Sequence, residues 1–211
     1  MKRIVLASAS PRREAILRQI GIDFEIIGPN ISEDIDFCMS PETIAEQLSR
    51  KKAEDVASRL DGNTLIIAAD TIVIKDGKVL GKPADNHAAY EMLKSLGGSW
   101  HKVITGFTII DNSGDNPPKV SHENTEVKMR ELTDEDIKSY ISSREPFDKA
   151  GSYGAQGLGA LLVEELRGCY FNVVGLPIAR IGKTLSEMGI NLLKISRNSD
   201  LVENNIRDET N

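Results

Sequence analysis

The 211 residues, 40% hydrophobic and 27% charged, suffice for one domain, or one domain with two lobes, around a sizeable core. A formal net charge of −6 with only 5% aromatic residues argues against a broad nucleic-acid surface, while leaving room for a local basic cleft. Cys38 and Cys169 show neither CxxC spacing nor a disulfide pattern, and no apolar run approaches the ~20 residues of a membrane span. The expectation is a cytoplasmic protein without a membrane or nucleic-acid partner.

Ile4–Ala7 is apolar but shorter than the roughly 7–15 residues of a signal-peptide core, so it reads as a buried first strand. Ser10 and Pro11 suit the start of a helix carrying Ile16, Leu17 and Ile20, and Gly21 suits its end. Phe24–Ile27 reads as a second strand, and an acidic loop with Glu33, Asp34 and Asp36 follows. Ser40-Pro41 opens a long helix expected to reach about Leu60.

Leu65–Ile74 is an apolar strand broken only by Asp70 and Thr71, and Asp76-Gly77 turns it into a hairpin with Val79-Leu80. Asp85 caps a helix to Leu96. Val103–Ile110 is a strand, Asn112–Pro118 a polar turn, and Val120–Glu131 an extended strand. Thr133 with Asp136 resembles a capping box for a helix through Tyr140 and Ile141. After a glycine-rich stretch, Leu161–Val163 and Tyr170–Val174 read as a hairpin around Arg167-Gly168. A helix from Pro177 sets Ile181, Leu185 and Met188 on one face, and Ile190–Ile195 reads as a last strand. Alternating strands and helices, interrupted by hairpins, predict an α/β fold with a mixed sheet. Residues 1–195 are expected to form one catalytic domain, and 196–211 a polar tail.

Several residues in this frame suit chemistry. Ser8-Ala9-Ser10-Pro11-Arg12-Arg13 joins a strand to a helix start, where free backbone N–H groups, two hydroxyls and two guanidinium groups can cradle phosphate. The plainer alternative is an N-cap followed by surface arginines. Lys52 falls on the helix face of Ala45, Leu48, Val56 and Leu60, so it either meets an anion or snorkels to water. Asp70 interrupts a strand that reads as buried on both faces; a carboxylate there needs a metal, a lysine or a cleft, unless it marks a turn between two short strands.

Glu33 is a candidate second carboxylate for a hard cation such as Mg²⁺ or Mn²⁺, or else part of a solvated loop. Lys82, in Gly81-Lys82-Pro83, is a phosphate contact or a plain turn lysine. The glycines of Asp148–Gly159 permit close backbone approach to a ligand, and the Gln156 amide suits a pyrimidine edge. His87, His101 and His122 lack ligand spacing and read as surface or packing residues.

Taken together, Leu6-Ala7-Ser8-Ala9-Ser10-Pro11-Arg12-Arg13, Ala69-Asp70-Thr71-Ile72-Val73, Gly81-Lys82-Pro83, Asp148-Lys149-Ala150-Gly151, Tyr153-Gly154-Ala155-Gln156-Gly157 and Val174-Gly175-Leu176-Pro177 resemble the Maf family of nucleoside triphosphate pyrophosphatases. The resemblance runs from about Lys2 to about Ile195. It implies a two-lobed fold related to the inosine triphosphate pyrophosphatases, with a cleft between the lobes. It also implies metal-assisted hydrolysis of a nucleoside triphosphate to monophosphate and pyrophosphate. Asp70 matches the family's catalytic acid residue, and Ser8, Arg12, Arg13, Glu33, Lys52 and Lys82 match its polar cleft set, with Asp70 and Glu33 as the metal-side carboxylates. Arg12, Thr71 and Gln156 look like the branch acting on dTTP and UTP. The alternatives are the sister branch that prefers 7-methyl-GTP and a regulator that binds nucleotide without hydrolysing it. A homodimer is an expectation of the resemblance alone.

Overall fold

A computed structural model describes residues 2–32 and 39–195. Its centre is a seven-stranded mixed sheet in the order β2-β1-β3-β5-β6-β7, with β4 alongside β3. The strands are β1 (Arg3–Leu6), β2 (Glu25–Ile26), β3 (Thr64–Lys75), β4 (Lys78–Leu80), β5 (Trp100–Asp111), β6 (Lys119–Met129) and β7 (Val163–Arg167). β1 is parallel to both β2 and β3, and the remaining pairs are antiparallel. The expected α/β class and mixed sheet hold.

β3 alternates between two faces, and both are covered. Ile66 and Ala68 pack with Val5, Ala53 and Val56, while Ile72 and Ile74 pack with Ile44, Ala45 and Leu48, so one helix, α2 (Pro41–Ala57), covers that face. On the other face Leu65, Ile67 and Ala69 meet Ile16 and Leu17 of α1 (Pro11–Gln19) and Ile181 and Leu185 of a C-terminal helix. Val73 joins a separate cluster with Leu93 of α3 (Asn86–Leu96) and Ile137 of α4 (Asp134–Ser142). Asp70 and Thr71 therefore fall at the seams between clusters, one on each face of the sheet. A buried polar residue costs least where apolar packing is already interrupted.

The cap signals hold at three of four helices. Ser40 accepts from the Thr43 N–H, Asp85 accepts from the Ala88 N–H, and Thr133 with Asp136 forms the full capping box. Ser10 occupies the cap position of α1 but makes no side-chain cap bond; the Ser8 hydroxyl accepts the Ser10 N–H instead. The long helix α2 stops at Ala57 rather than near Leu60.

Two strand assignments are corrected. Tyr170–Val174 is a short helix, α5, and the chain before it is a strand only over Val163–Arg167. Short apolar runs fit a buried helix as well as a strand. Tertiary bonds decide here: Asn172, fully buried, donates through Nδ2 to the Val103 carbonyl at 3.0 Å and to Thr125 Oγ1 at 2.9 Å. Ile190–Ile195 likewise ends in helix, α7 (Leu192–Ile195), after α6 (Ile178–Glu187). The expected tail lies outside the described residues.

Candidate active site

β1 pairs with β3 only as far as Leu6 opposite Ile67, and β4 joins the same edge only from Leu80 opposite Val73. Between them, Ala68–Ile72 has no strand neighbour on that side among the described residues. This notch, at the carboxyl end of β1, opens into a cleft of about 630 Å³. One wall is the β1–α1 connection with Ser8, Arg12 and Arg13. The other is the end of β4 with Gly81 and Lys82, to which Asp148–Gln156 is tied by the Gly151 N–H donating to the Gly81 carbonyl at 3.0 Å.

Ser8, Arg12, Arg13, Lys52, Asp70, Thr71, Lys82 and Gln156 all line this one cleft. These are the sequence-selected residues that fall within the described chain; Glu33 lies outside it. The described lining carries five cations against two carboxylates, a concentration of positive charge in a protein of net charge −6. Low-dielectric walls around such a cluster focus its field on an anion.

Lys52 and Asp70 form the floor. Lys52 Nζ donates to Asp70 Oδ1 at 2.5 Å, and the two side chains are only 10% and 11% exposed. Helical periodicity puts Lys52 two turns after Ala45, and Ala45 sits directly on Gly106, the register partner of Asp70. A Cβ at Gly106 would run into the Ala45 carbonyl, so only glycine lets α2 come this close to the sheet. Ser49 fixes the helix along its axis through a 2.9 Å hydroxyl contact with Thr108. Lys51, one residue from Lys52, is exposed.

On the opposite seam Arg13 is held by contacts that include three hydrogen bonds to described residues. Its Nε donates to the Gly175 carbonyl at 2.7 Å, Nη1 to Ser8 Oγ at 3.3 Å and Nη2 to Thr71 Oγ1 at 3.1 Å. Gly175, at φ 119°, has a backbone conformation that strains any side chain, and a Cβ there would lie 3.3 Å from Thr71 Oγ1. Arg12 is bound differently: its Nη1 donates to Asp148 Oδ2 at 2.7 Å, linking the two walls. Burial works to raise the Asp148 carboxyl, but hydrogen bonds from Lys149 and Arg12 outweigh it and hold it below the usual carboxylate range. Lys82 and Gln156 are exposed at the rim.

Sequence reasoning missed Asp148 and Lys149 as individual site residues. It also read His101 as a surface or packing residue, without its partner: His101 Nε2 lies 2.6 Å from the hydroxyl of Tyr153, a cleft-lining side chain. Burial, with the charge of Lys75 second, pushes His101 down to about 4, so the ring is neutral near pH 7. Burial pushes the Tyr153 phenol up.

Among the described residues no group of three or more His, Cys, Asp or Glu side chains could hold a metal by itself. Asp70 is the only described carboxylate at the floor, and a carboxylate has about four lone-pair sites, of which Lys52 takes one. That donor set fits a hard cation carried in by phosphate oxygens rather than a cage made only of protein. No helix among the described residues is long and apolar enough to cross a membrane.

Residues 3–188 match the family described as Maf-like protein. A dTTP/UTP pyrophosphatase of Carboxydothermus hydrogenoformans is 52% identical over 187 residues, covering 89% of this chain and 99% of the relative. One from Caldicellulosiruptor bescii is 47% identical over 197 residues, covering 92% and 98%. Among solved structures, a nucleoside-triphosphatase / dITP/XTP pyrophosphatase from Mycobacterium abscessus overlaps 88% of this chain and 97% of its own, at 12% identity and TM-score 0.40.

Proposed function

The chain belongs to the Maf family, and on that premise we propose that it hydrolyses dTTP and UTP to the nucleoside monophosphate and pyrophosphate. The observation that carries the reading is the convergence of the Lys52–Asp70 pair, the Arg13 cluster and Lys82 on one cationic cleft. A triphosphate brings the negative charge that such a lining needs.

Arg12, Arg13 and Lys82 bind phosphate oxygens and offset the charge that builds up on the transferring group. Asp70 orients a water molecule towards the α-phosphorus and accepts its proton as the new P–O bond forms. The bond from the α-phosphorus to the α–β bridging oxygen breaks, and pyrophosphate leaves with that oxygen. Lys52 fixes the Asp70 carboxylate in this orientation and balances its charge in a nearly closed floor. A divalent cation such as Mg²⁺ or Mn²⁺ would be held by Asp70, Glu33 and the substrate's phosphates, and it supplies Lewis-acid stabilisation of phosphoryl oxygens. Gln156, at the rim, presents both a donor and an acceptor to a pyrimidine edge.

The test is pyrophosphate release by the purified protein with Mg²⁺ or Mn²⁺, across dTTP, UTP, CTP, ATP, GTP and 7-methyl-GTP. Release from dTTP and UTP that stops on chelation is the expected result. Preference for 7-methyl-GTP would overturn the substrate assignment, and binding without turnover would overturn the enzyme.

A further inference from the structure

Two hydroxyls flank the Arg13 guanidinium in the cleft, and their hydrogen-bonding roles follow atom by atom. The backbone carbonyl of Asn172 can only accept, so Thr105 Oγ1, 2.9 Å away, gives its single proton there. Thr105 then has no proton for Thr71. Across their 2.9 Å contact the donor is therefore Thr71. Arg13 Nη2 fills one of the two Thr71 lone pairs. What Thr71 has left for a ligand is one lone pair and no proton. Ser8 is the reverse case. Its Oγ accepts from the Ser10 N–H at 3.1 Å and from Arg13 Nη1 at 3.3 Å, so its proton is what remains for a ligand.

The source of this polarity is rigid. Thr105 and Asn172 are fully buried, and the Asn172 side chain ties α5 to β5 and β6. The Asn172 carbonyl is thus held against Thr105. Turning the Thr71 proton towards the cleft would leave Thr105 with an empty acceptor in a closed interior, a cost on the scale of a lost hydrogen bond.

We propose that Thr105 is a positioning residue: by taking the Thr71 proton it makes Thr71 a pure acceptor, which favours a hydrogen-bond donor of the nucleotide at that point. The inference rests on the dTTP/UTP reading above for its ligand class. Two donors are common to dTTP and UTP, the imide N3–H of the base and the 3′-hydroxyl of the sugar. Cytosine lacks a proton at N3, so a base contact here would discriminate against it.

The experiment reads binding, not turnover. A protein that held nucleotide without hydrolysing it would defeat the proposed activity and leave this test intact. Affinities of UMP, N3-methyl-UMP and 3′-deoxy-UMP are measured by calorimetry for the wild type, Thr105→Val and Thr105→Ser. The wild type is expected to bind one analogue about tenfold more weakly than UMP, which identifies the donor. Thr105→Val is expected to lose most of that ratio, because the Thr71 proton no longer has its acceptor. Thr105→Ser, which keeps the hydroxyl, is expected to restore it. Loss of folding in Thr105→Val would shift all three affinities together, and the serine variant separates that case. Equal wild-type affinities for all three ligands, a ratio unchanged in Thr105→Val, or a ratio lost equally in Thr105→Ser would overturn the proposal.

Discussion

Arg12 and Asp148, 136 positions apart in the chain, join the two walls of the cleft through a 2.7 Å ion pair. Only Nη1 of the guanidinium is engaged, and under the proposed function the Asp148 charge competes with phosphate for Arg12. With the Asp148 side chain 59% exposed, the pair is worth under about 1 kcal/mol. Asp148→Asn is therefore expected to lower KM for dTTP roughly two- to fivefold with kcat little changed. Steady-state kinetics checks this, and a fall in kcat would instead put Asp148 in contact with the reacting group.

Asp70→Asn is expected to reduce kcat by about 10²–10⁴-fold, the range of a lost general base, while nucleotide binding persists. Lys52→Met should also destabilise the fold by about 3 kcal/mol, since it leaves a carboxylate in a nearly closed floor without this ammonium. Combining the two substitutions should recover part of that stability but none of the activity. Denaturant titration beside turnover separates the two effects.

Gly106→Ala tests the close approach of α2 to the sheet. The new methyl would meet backbone, which cannot swing aside, so a loss of about 3 kcal/mol or more is expected. Any folded fraction should show reduced turnover, because moving α2 moves Lys52. A Gly106→Ala protein as stable and active as the wild type would mean that the helix has slack at this point.

The buried His101 predicts an acid limb in stability. Its folded value of about 4 lies below its ordinary 6.5, so the unfolded chain binds the proton more readily. Stability from this group is full above pH 6.5 and declines as the pH falls towards 4, by roughly 2–4 kcal/mol in all. The decline should be much smaller in His101→Gln, measured by thermal unfolding across that range. Asp111 adds a further loss at still lower pH: burial raises it, but hydrogen bonds from Asn116, Lys2 and Ser113 bring it below the usual carboxylate range.

Much of the site was legible because it violates local pattern. Lys52 on an apolar helix face and Asp70 in an apolar strand are each conspicuous, and each needs a partner. That they are each other's partner depends on the packing of α2 over β5, which no local pattern encodes. The same reasoning could have flagged Thr105, Thr108 and Asn172, polar residues inside apolar runs that turn out to be fully buried. Asp148 gave no such signal, since an exposed acid in a short irregular segment looks like any surface residue. The helix at Tyr170–Val174 escaped for a different reason. Five residues are too few for periodicity to choose, and the choice is made by bonds to Val103 and Thr125.

The notch along β3 has a consequence for solubility. An unpaired strand edge is a template on which another chain can add a strand and begin aggregation. Among the described residues Ala68–Ile72 is such an edge, in an apolar strand, and it carries Asp70 and Thr71 of the cleft lining. It is only five residues long and recessed between the end of β1 and the start of β4. An incoming strand would have to pass the Ser8–Arg13 wall or the Gly81–Lys82 wall to reach its backbone. A compact triphosphate needs no such length. A framing wide enough for a nucleotide also rejects the extended chain, and the arginines and lysines that attract an anion repel basic segments of an incoming chain.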